Sequence, residues 1–501
     1  MGQRHQVSPM KNKLWFGKLS IIICISLIFL SLLSGSSCGL FSHSDSSYTP
    51  ELVSDGSGGA IVVYEKVKSG TNREFYAQRI GTDGKPLWGV TGTLIGSTQA
   101  NSYSFPVFDI VSDGAGGAII AWPDLAPDQF QSIKYVTKID SNGGVIWTKN
   151  CGYFEEMISD GGGGAIIAFD DSAGNSGNNA PIIVNRIDSG GNYPWGQQGV
   201  QIRHLGNWPT GLQMVGDGDN GAIAVWGEME SKAGTTTPSF QYTSRIMAQR
   251  VNAEGNLSWG ANGIKVCANP ENVIVQEPCA AADGSGGAII CWQQNPSGPV
   301  DNSSPLWDTQ DIVTQKIDSE GKILWQPGGV PLQIVKTAEA ANPFTPLAVG
   351  DGSGGAIVMW ADLRSGLASI YAQKMDSSGG SEWQTGGVKA VFVKSNSSNE
   401  RRQIVGDGTG GAIISCIFKE AGTGKQGVIV QNLDSAGNTA WAGNGVVVVA
   451  GTPTNYCLAA DNHGGALLSW GIGAGDSEKS YVQFISSGGS RLWGSGIRLD
   501  K

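Results

Sequence analysis

The seven residues DGSGGAI stand at 55–61, again at 283–289 and again at 351–357. A string with three glycines offers no functional group, so its recurrence points to architecture. Internal repetition constrains a fold more than composition does, because repeated units stack on one another. Relaxed slightly, the string occurs eight times: DGSGGA at 55, DGAGGA at 113, DGGGGA at 160, DGDNGA at 217, DGSGGA at 283 and 351, DGTGGA at 407 and DNHGGA at 461. Nine residues after each Asp stands a large residue: Tyr64, Trp122, Phe169, Trp226, Trp292, Trp360, Cys416 and Trp470.

A second register is stricter. A polar column, Gln78, Thr137, Asn185, Gln249, Gln315, Gln373, Gln431 and Gln483, is followed ten residues later by Trp88, Trp147, Trp195, Trp259, Trp325, Trp383, Trp441 and Trp493. The two aromatic columns hold thirteen of the sixteen tryptophans, so nearly all of them serve the repeat. Each unit reads as four strands. A short apolar run precedes the Asp. A continuous apolar run such as AIIAW (118–122) follows the glycines, as in a strand buried on both faces. YAQRI (76–80) exemplifies an alternating third strand, and a turn such as DSNG (140–143) leads to a fourth strand carrying the tryptophan. Four-stranded units repeated around a ring are propeller blades. The expected fold is all-β: an eight-bladed β-propeller of four-stranded antiparallel blades over residues 50–501.

Within this frame the Asp-Gly-x-Gly-Gly string is the hairpin between the first two strands. Glycine supplies positive φ, adjacent glycines permit close backbone approach, and Asp bonds turn amides. A calcium loop would need six to eight oxygens, and one Asp per turn does not supply them. The aromatic columns read as blade-to-blade packing.

The stretch IDSNGGVIW (139–147) resembles the Asp-box turn of sialidase-type propellers, in which an Asp and a Gly precede a Trp between the third and fourth strands. The resemblance covers the repeat unit along the whole folded chain and implies fold alone. The leading Ser is missing, the Gly-to-Trp spacing is longer, eight units stand where a catalytic sialidase domain has six, and no Arg-Ile-Pro motif occurs. No catalytic residue carries over. The chain also looks like bacterial secreted repeat proteins built of DGxGGAI…W units.

The N-terminus suggests an address. KNKLWFGKLSIIICISLIFLSLLSGSSCGL (11–40) has a basic start, an apolar core from Leu19 to Leu33 and small residues leading to Cys38, the plan of a secretory signal over residues 1–37. That core is shorter than the roughly 20 residues of a membrane span. Cys38 resembles a bacterial lipoprotein lipidation site; Ser36 and Ser37 suit it and Gly35 departs from the aliphatic preference. Ordinary cleavage nearby and an uncleaved anchor remain open. Residues 38–49 are then a lipidated cysteine and a Ser-rich tether, and the expected location is the cell membrane or outer envelope, with secretion as the alternative.

The formal net charge is −10, and without the first 37 residues, which carry four basic residues and no acid, it is −14. That argues against a nucleic-acid partner for the folded part. The histidines, His5, His43, His204 and His463, are scattered, so neither a histidine metal site nor any cofactor is expected. No nucleophile elbow, His-Glu-x-x-His or Cys-x-x-Cys pair appears, and no catalytic residue is assigned. Adjacent Glu155 and Glu156 read as a solvated edge.

Strand alternation puts the first-to-second and third-to-fourth turns on one face and the remaining connections on the other. From the first aromatic column to the polar column the spacing runs 14, 15, 16, 23, 23, 13, 15 and 13 residues. Variable loops on a rigid scaffold are where recognition concentrates. The candidate ligand-binding region is therefore the variable face at blades 4 and 5, near 227–248 and 293–314. Trp208 and Trp307, the tryptophans of the folded part outside the columns, are candidate sugar-stacking residues, with Asp308 and Asp311 beside Trp307. Cys279 and Cys291 lie six residues either side of Ser285 and are candidate disulfide partners, with Cys267 as a rival; Cys416 reads as a packed thiol. The leading reading is a non-catalytic binding or scaffolding propeller at the cell surface, with a protein or glycan partner. The alternatives are a carbohydrate-active enzyme, hydrolase or lyase, and an assembly component of an envelope complex.

Overall fold

A computed structural model describes residues 50–69, 72–99, 108–124, 133–152, 154–170, 181–203, 208–231, 242–267, 274–295, 311–333, 344–362, 364, 369–392, 401–419, 426–451, 453–473 and 479–500. It also describes a two-residue ladder that pairs Gly35–Ser36 with Gly39–Leu40. Cys38, Trp307 and Asp308 lie outside the described residues.

Every regular element among the described residues is a strand. Eight four-stranded antiparallel sheets follow one another along the chain, each built from consecutive strands. The first strands are Glu51–Ser54, Asp109–Ser112, Glu156–Ser159, Trp208–Gly216, Ile274–Ala282, Phe344–Gly350, Arg402–Gly406 and Pro453–Ala460. Each packs on the first strand of the blade before and after it, and that of blade 8 packs on that of blade 1. The ring is therefore an eight-bladed propeller with the first strands innermost. Blades 1 and 8 each supply all four of their own strands, so no strand is exchanged at closure.

The second strands are the cores of the blades. Ala118–Asp124 is buried along all but its last residue, and Ala356–Asp362 along its whole length. Apolar side chains of neighbouring blades interleave: Leu347, Ile357 and Met359 of blade 6 share a cluster with Ile414 and Ile429 of blade 7. The third strands depart from the expected in-out alternation. Asp311–Ile317 and Ser369–Met375 are buried at every residue. Gln315, Lys316 and Gln373 are inside because they bond to the turns, and Thr314 because it donates to the Val330 carbonyl of the fourth strand.

The polar column explains a second departure. In seven blades the column tryptophan precedes the fourth strand rather than lying in it; Trp325, for example, stands before Val330–Gln333. In the six blades with Gln in the column, the Gln side-chain oxygen accepts the tryptophan backbone N–H at 2.8–3.2 Å. The Gln side-chain nitrogen donates to a nearby backbone carbonyl, as Gln315 does to Gln326 at 3.0 Å. The side-chain amide takes the place of a ladder partner, freeing the tryptophan to leave the sheet. Blade 2 has Thr137 there, and it alone keeps its tryptophan within a fourth strand, Val145–Asn150.

The freed indoles staple the ring. Trp88, Trp147, Trp195, Trp259, Trp325, Trp383, Trp441 and Trp493 donate Nε1–H to the carbonyls of Ser141, Ser189, Ala253, Ser319, Ser377, Ser435, Ser487 and Thr82, each in the third-to-fourth turn of the next blade, at 2.8–3.2 Å. The last of these joins blade 8 to blade 1. A glycine of the receiving turn lies against each ring. Gly379 has φ +91°, and a Cβ there would stand 3.0 Å from Trp325. The position needs glycine both for its left-handed backbone and for space.

The Asp-Gly-x-Gly-Gly strings form the expected first-to-second hairpins. Asp351 Oδ1 accepts the amides of Ser353 and Gly355, both at 2.8 Å. A Cβ at Gly355 would stand 2.2 Å from the Met375 carbonyl oxygen, which accounts for the adjacent glycines. The second carboxylate oxygen is held by a base that the column analysis overlooked, one residue past the polar column: Arg79, Lys138, Arg186, Arg250, Lys316 and Lys374 in blades 1–6. Arg79 also donates to Ser141 of blade 2 and Lys316 to Gly354 of blade 6. Both kinds of turn thus share one face, and each blade is tied to the next across it.

Candidate functional site

The opposite face is irregular. The innermost strands of blades 1–3 have four residues each, whereas those of blades 4 and 5 have nine and that of blade 6 has seven. The extra length lies beyond a register shift in each case: Thr210/Gln213, Gln276/Cys279 and Phe344/Leu347. Blade 4 extends further still. Its second and third strands, Ala222–Ser231 and Tyr242–Val251, pair over ten residues up to Ser231 opposite Tyr242. The rim of the variable face therefore rises at blades 4 to 6, where the sequence spacing is longest for blades 4 and 5, and blades 8 and 1 are extended too, by the eight-residue first strand Pro453–Ala460 and the ten-residue second strand Ala60–Ser69.

The candidate residues fall on this rim. Trp208 opens the first strand of blade 4, opposite Met229. Asp311 opens the third strand of blade 5, opposite Gln294, and is buried. The described residues bring no third member of the set to either. Cys279 and Cys291 face each other in the blade 5 ladder and are disulfide-bonded, with Cα atoms 5.3 Å apart. Cys267, the rival partner, is a buried thiol, and so is Cys416.

Glu277 was not singled out from sequence. It sits in the blade 5 bulge with φ +52°; the other non-glycine residues at positive φ among the described residues are both asparagines, Asn220 and Asn462, in hairpins. Asparagine tolerates this region and glutamate does so poorly. The Glu277 carboxyl is half-buried and makes no hydrogen bond or ion pair. Burial pushes it up to about 7, into the range where a carboxyl can act as a proton donor near neutral pH. The only signal in the sequence is a Glu-Pro pair inside a mostly apolar first strand.

A second group of ionisable residues corrects the reading of Glu155 and Glu156 as a solvated edge: both are buried. Glu51, Asp109, Glu156, Gln213, Cys279, Leu347, Gln403 and Cys457 occupy one register, four residues before the turn Asp. Burial raises the Glu156 carboxyl well above the usual range; the Met214 amide opposes this, and Asp109 and Glu155 add to it. Burial likewise raises Glu51, reinforced by Asp109 and offset by Arg401. Asp109 is paired with Lys134 at 2.9 Å, and Lys134 lies over the Phe154 ring of blade 3. Gln403 donates to the Tyr456 carbonyl of blade 8 at 3.3 Å. Several of these side chains thus engage the neighbouring blade, Glu156 and Gln403 through its inner-strand backbone. The arrangement braces neighbouring blades but leaves Asp109 Oδ1, Glu156 Oε2 and Gln403 Oε1 buried without a hydrogen bond.

Among the described residues no three His, Cys, Asp or Glu side chains are grouped so as to hold a metal ion. The turn aspartates are occupied by amides and bases, in keeping with the structural reading of the hairpins. No described helix is long and apolar enough to cross a membrane.

No protein-family model matches the chain, and no curated protein matches it either. Solved structures similar to it include the β-propeller domain of the Trilobed protease from Pyrococcus furiosus, 11% identical over 76% of this chain and 93% of that one, with a TM-score of 0.38. An α-L-arabinanase from Penicillium chrysogenum is 11% identical over 66% and 93%, with a TM-score of 0.34. A Dyadobacter fermentans protein described as of unknown function is 10% identical over 77% and 94%, with a TM-score of 0.31. These likenesses are too distant to bear on what the chain does.

Proposed function

We propose that the protein is an exported, surface-anchored binding propeller that holds a glycan or protein ligand on its variable face, at blades 4 and 5. The observation that carries the reading is the contrast within the ring. Eight repeated staples fix one face, while on the other the inner strands of two neighbouring blades reach five residues further than those of blades 1–3. A rigid scaffold carrying local, non-repeated extensions is the usual form of a recognition surface. The signal-like segment 1–37, lipidation at Cys38 and the Ser-rich tether would present that surface outside the cell. The net negative charge makes nucleic acid a poor partner.

The test is a broad glycan array probed with residues 39–501, which contain all eight blades. Selective binding that falls when Trp208 or Trp307 becomes Ala supports a lectin-like receptor. A blank array moves the reading to protein partners, found by crosslinking at the cell surface; absence of any crosslinked partner as well would overturn it.

Glu277 favours one second reading, a carbohydrate-active enzyme. A carboxyl raised by burial is one half of the pair that glycoside hydrolysis needs. Release of reducing ends from an array-bound glycan would establish that reading, and unaltered glycan after prolonged incubation would exclude it.

A further inference from the structure

Blades 4, 5 and 6 each carry a bulge opposite the first-column tryptophan, and among the described residues that of blade 5 differs in holding a glutamate at positive φ. Gln276 pairs with Gln293 and Cys279 with Cys291, so Glu277 and Pro278 together stand opposite Trp292 alone. Bulges of this kind re-aim side chains. The bulge is held in place from two sides. The Cys279–Cys291 disulfide clamps the ladder directly after it. Pro278 lies against blade 4 at Gly211, where a Cβ would come within 3.1 Å of the proline ring. The unfavourable φ of Glu277 is thus imposed by its surroundings, which is how strain persists at sites of function.

Trp292 supplies an independent observation. Its indole N–H is fully buried and has no acceptor. The equivalent indoles of blades 4 and 6 donate to a carboxylate two residues along, Trp226 to Glu228 at 3.1 Å and Trp360 to Asp362 at 3.2 Å. Blade 5 has Gln294 at that position and blade 8 has Ile472, and the N–H groups of Trp292 and Trp470 are left without a partner. A buried donor without an acceptor is costly and calls for an explanation. Trp292 and Val275 share a cluster with Val225, Ile246 and Trp259 of blade 4, so the indole lies in the seam that Pro278 also touches at Gly211.

We propose that the seam between blades 4 and 5 is a binding site for a neutral, hydroxyl-rich ligand, a saccharide, with the Glu277 carboxyl and the Trp292 indole N–H as its hydrogen-bonding groups. A protonated carboxyl both donates and accepts, and an indole donates; a sugar hydroxyl can complement each. Burial disfavours the ionised carboxylate that a cationic ligand would require. The inference rests on the reading of the variable face as a glycan receptor and names the contacts within it.

The test measures binding of cellohexaose, xylohexaose, mannohexaose and a glucosamine hexamer by calorimetry, using the full chain as wild type, Glu277→Gln, Glu277→Gly and Trp292→Phe. The expected result is binding of a neutral hexasaccharide, weakened roughly tenfold by Glu277→Gly and several-fold by Trp292→Phe, with Glu277→Gln intermediate. Glu277→Gly should at the same time raise the melting temperature, because it relieves the backbone and removes a buried carboxyl. Wild-type binding that neither Glu277 variant weakens overturns this inference and leaves the glycan reading standing. No binding of any neutral hexasaccharide by wild type overturns the inference, and a blank array would then remove the glycan reading too. Preference for the glucosamine hexamer overturns the assignment of a neutral ligand. Should Glu277→Gly fail to fold, Glu277→Gln decides.

Discussion

The two faces of the ring are made by opposite uses of the same repeat. On the constant face every blade spends its polar residues on the next blade. The tryptophan indole and the turn Asp recur in every blade and the base after the polar column in blades 1–6, and the closure between blades 8 and 1 uses a Trp493–Thr82 bond like that of every other junction. On the variable face the equivalent positions diverge. Blade 4 has Glu228 bonded to Trp226 and Arg245, blade 6 has Asp362 bonded to Trp360 and Arg364, and blade 5 has neither carboxylate. Repetition marks where the sequence serves stability, and its interruption marks where another demand acts on it.

The contrast is broken most severely by removing a staple. Trp325→Ala deletes a buried ring that fills a seam, together with the bond to the Ser377 carbonyl. We expect a loss of about 3–5 kcal/mol in denaturant unfolding. If the loss stays under about 1 kcal/mol, the constant face is not what holds the ring.

Removing the amide behind a staple should cost less. Gln315→Leu keeps the volume but leaves the Trp325 N–H without its acceptor and takes one of two donors from the Gln326 carbonyl, which keeps the Gly329 amide. The expected loss is about 1–3 kcal/mol, and Gln315→Glu should not restore stability, because a carboxylate cannot donate to the carbonyl. Equal stability of Gln315→Leu and wild type would show that the glutamine is not a ladder substitute.

The faces should also differ in their response to pH. Burial alone would raise the turn carboxyl of Asp55, but the Ser57 amide, Arg79, the Gly59 amide and the Ser57 hydroxyl together hold it below its usual value. Asp283 and Asp351 are lowered in the same way. A depressed carboxyl contributes stability above its unfolded value, and that contribution is lost as pH falls through the folded one. Glu277 has the opposite sign. With a folded value of about 7 against an ordinary 4.5, it is neutral in both states at low pH, and stability falls as pH rises from about 4.5 to about 7. Glu277→Gln should therefore flatten the pH dependence between 5 and 7 by on the order of 1–3 kcal/mol while leaving the acid limb unchanged. An unchanged slope between 5 and 7 would mean that Glu277 titrates as an ordinary surface carboxyl.

The fold was legible because its cause is periodic. Eight tryptophans, each ten residues after a polar column that is Gln in six blades, are a covalent record of one indole staple made eight times, and the blade count follows from them. What stayed hidden was either a side chain's partner or a departure from the period. The base at Arg79 or Lys316 looked like a solvent-facing strand residue, because sequence does not show that a turn carboxylate waits beside it. Glu155 and Glu156 looked solvated for the same reason: the seam that buries them is made by the next blade. The disulfide of Cys279 and Cys291 could be read, since their distances from the hairpin centre match. Glu277 could not, because its interest lies in a positive φ that no residue type announces.

The smallest expected effect on stability is also the sharpest test of the division between faces. Ser231 and Tyr242 are ladder partners at the top of blade 4, so the chain between them need only reverse direction. Replacing residues 232–241 by Asn-Gly supplies a two-residue hairpin turn suited to that geometry. Shortening a connection lowers its closure entropy only slowly with length. We expect the midpoint of denaturant unfolding to move by less than about 1 kcal/mol equivalent, in the stabilising direction, while ligand binding measured on the array falls away. A variant that keeps its ligand would put the recognition surface elsewhere on the ring. A large loss of stability with the loop removed would mean that the variable face, like the constant one, is part of what holds the blades together.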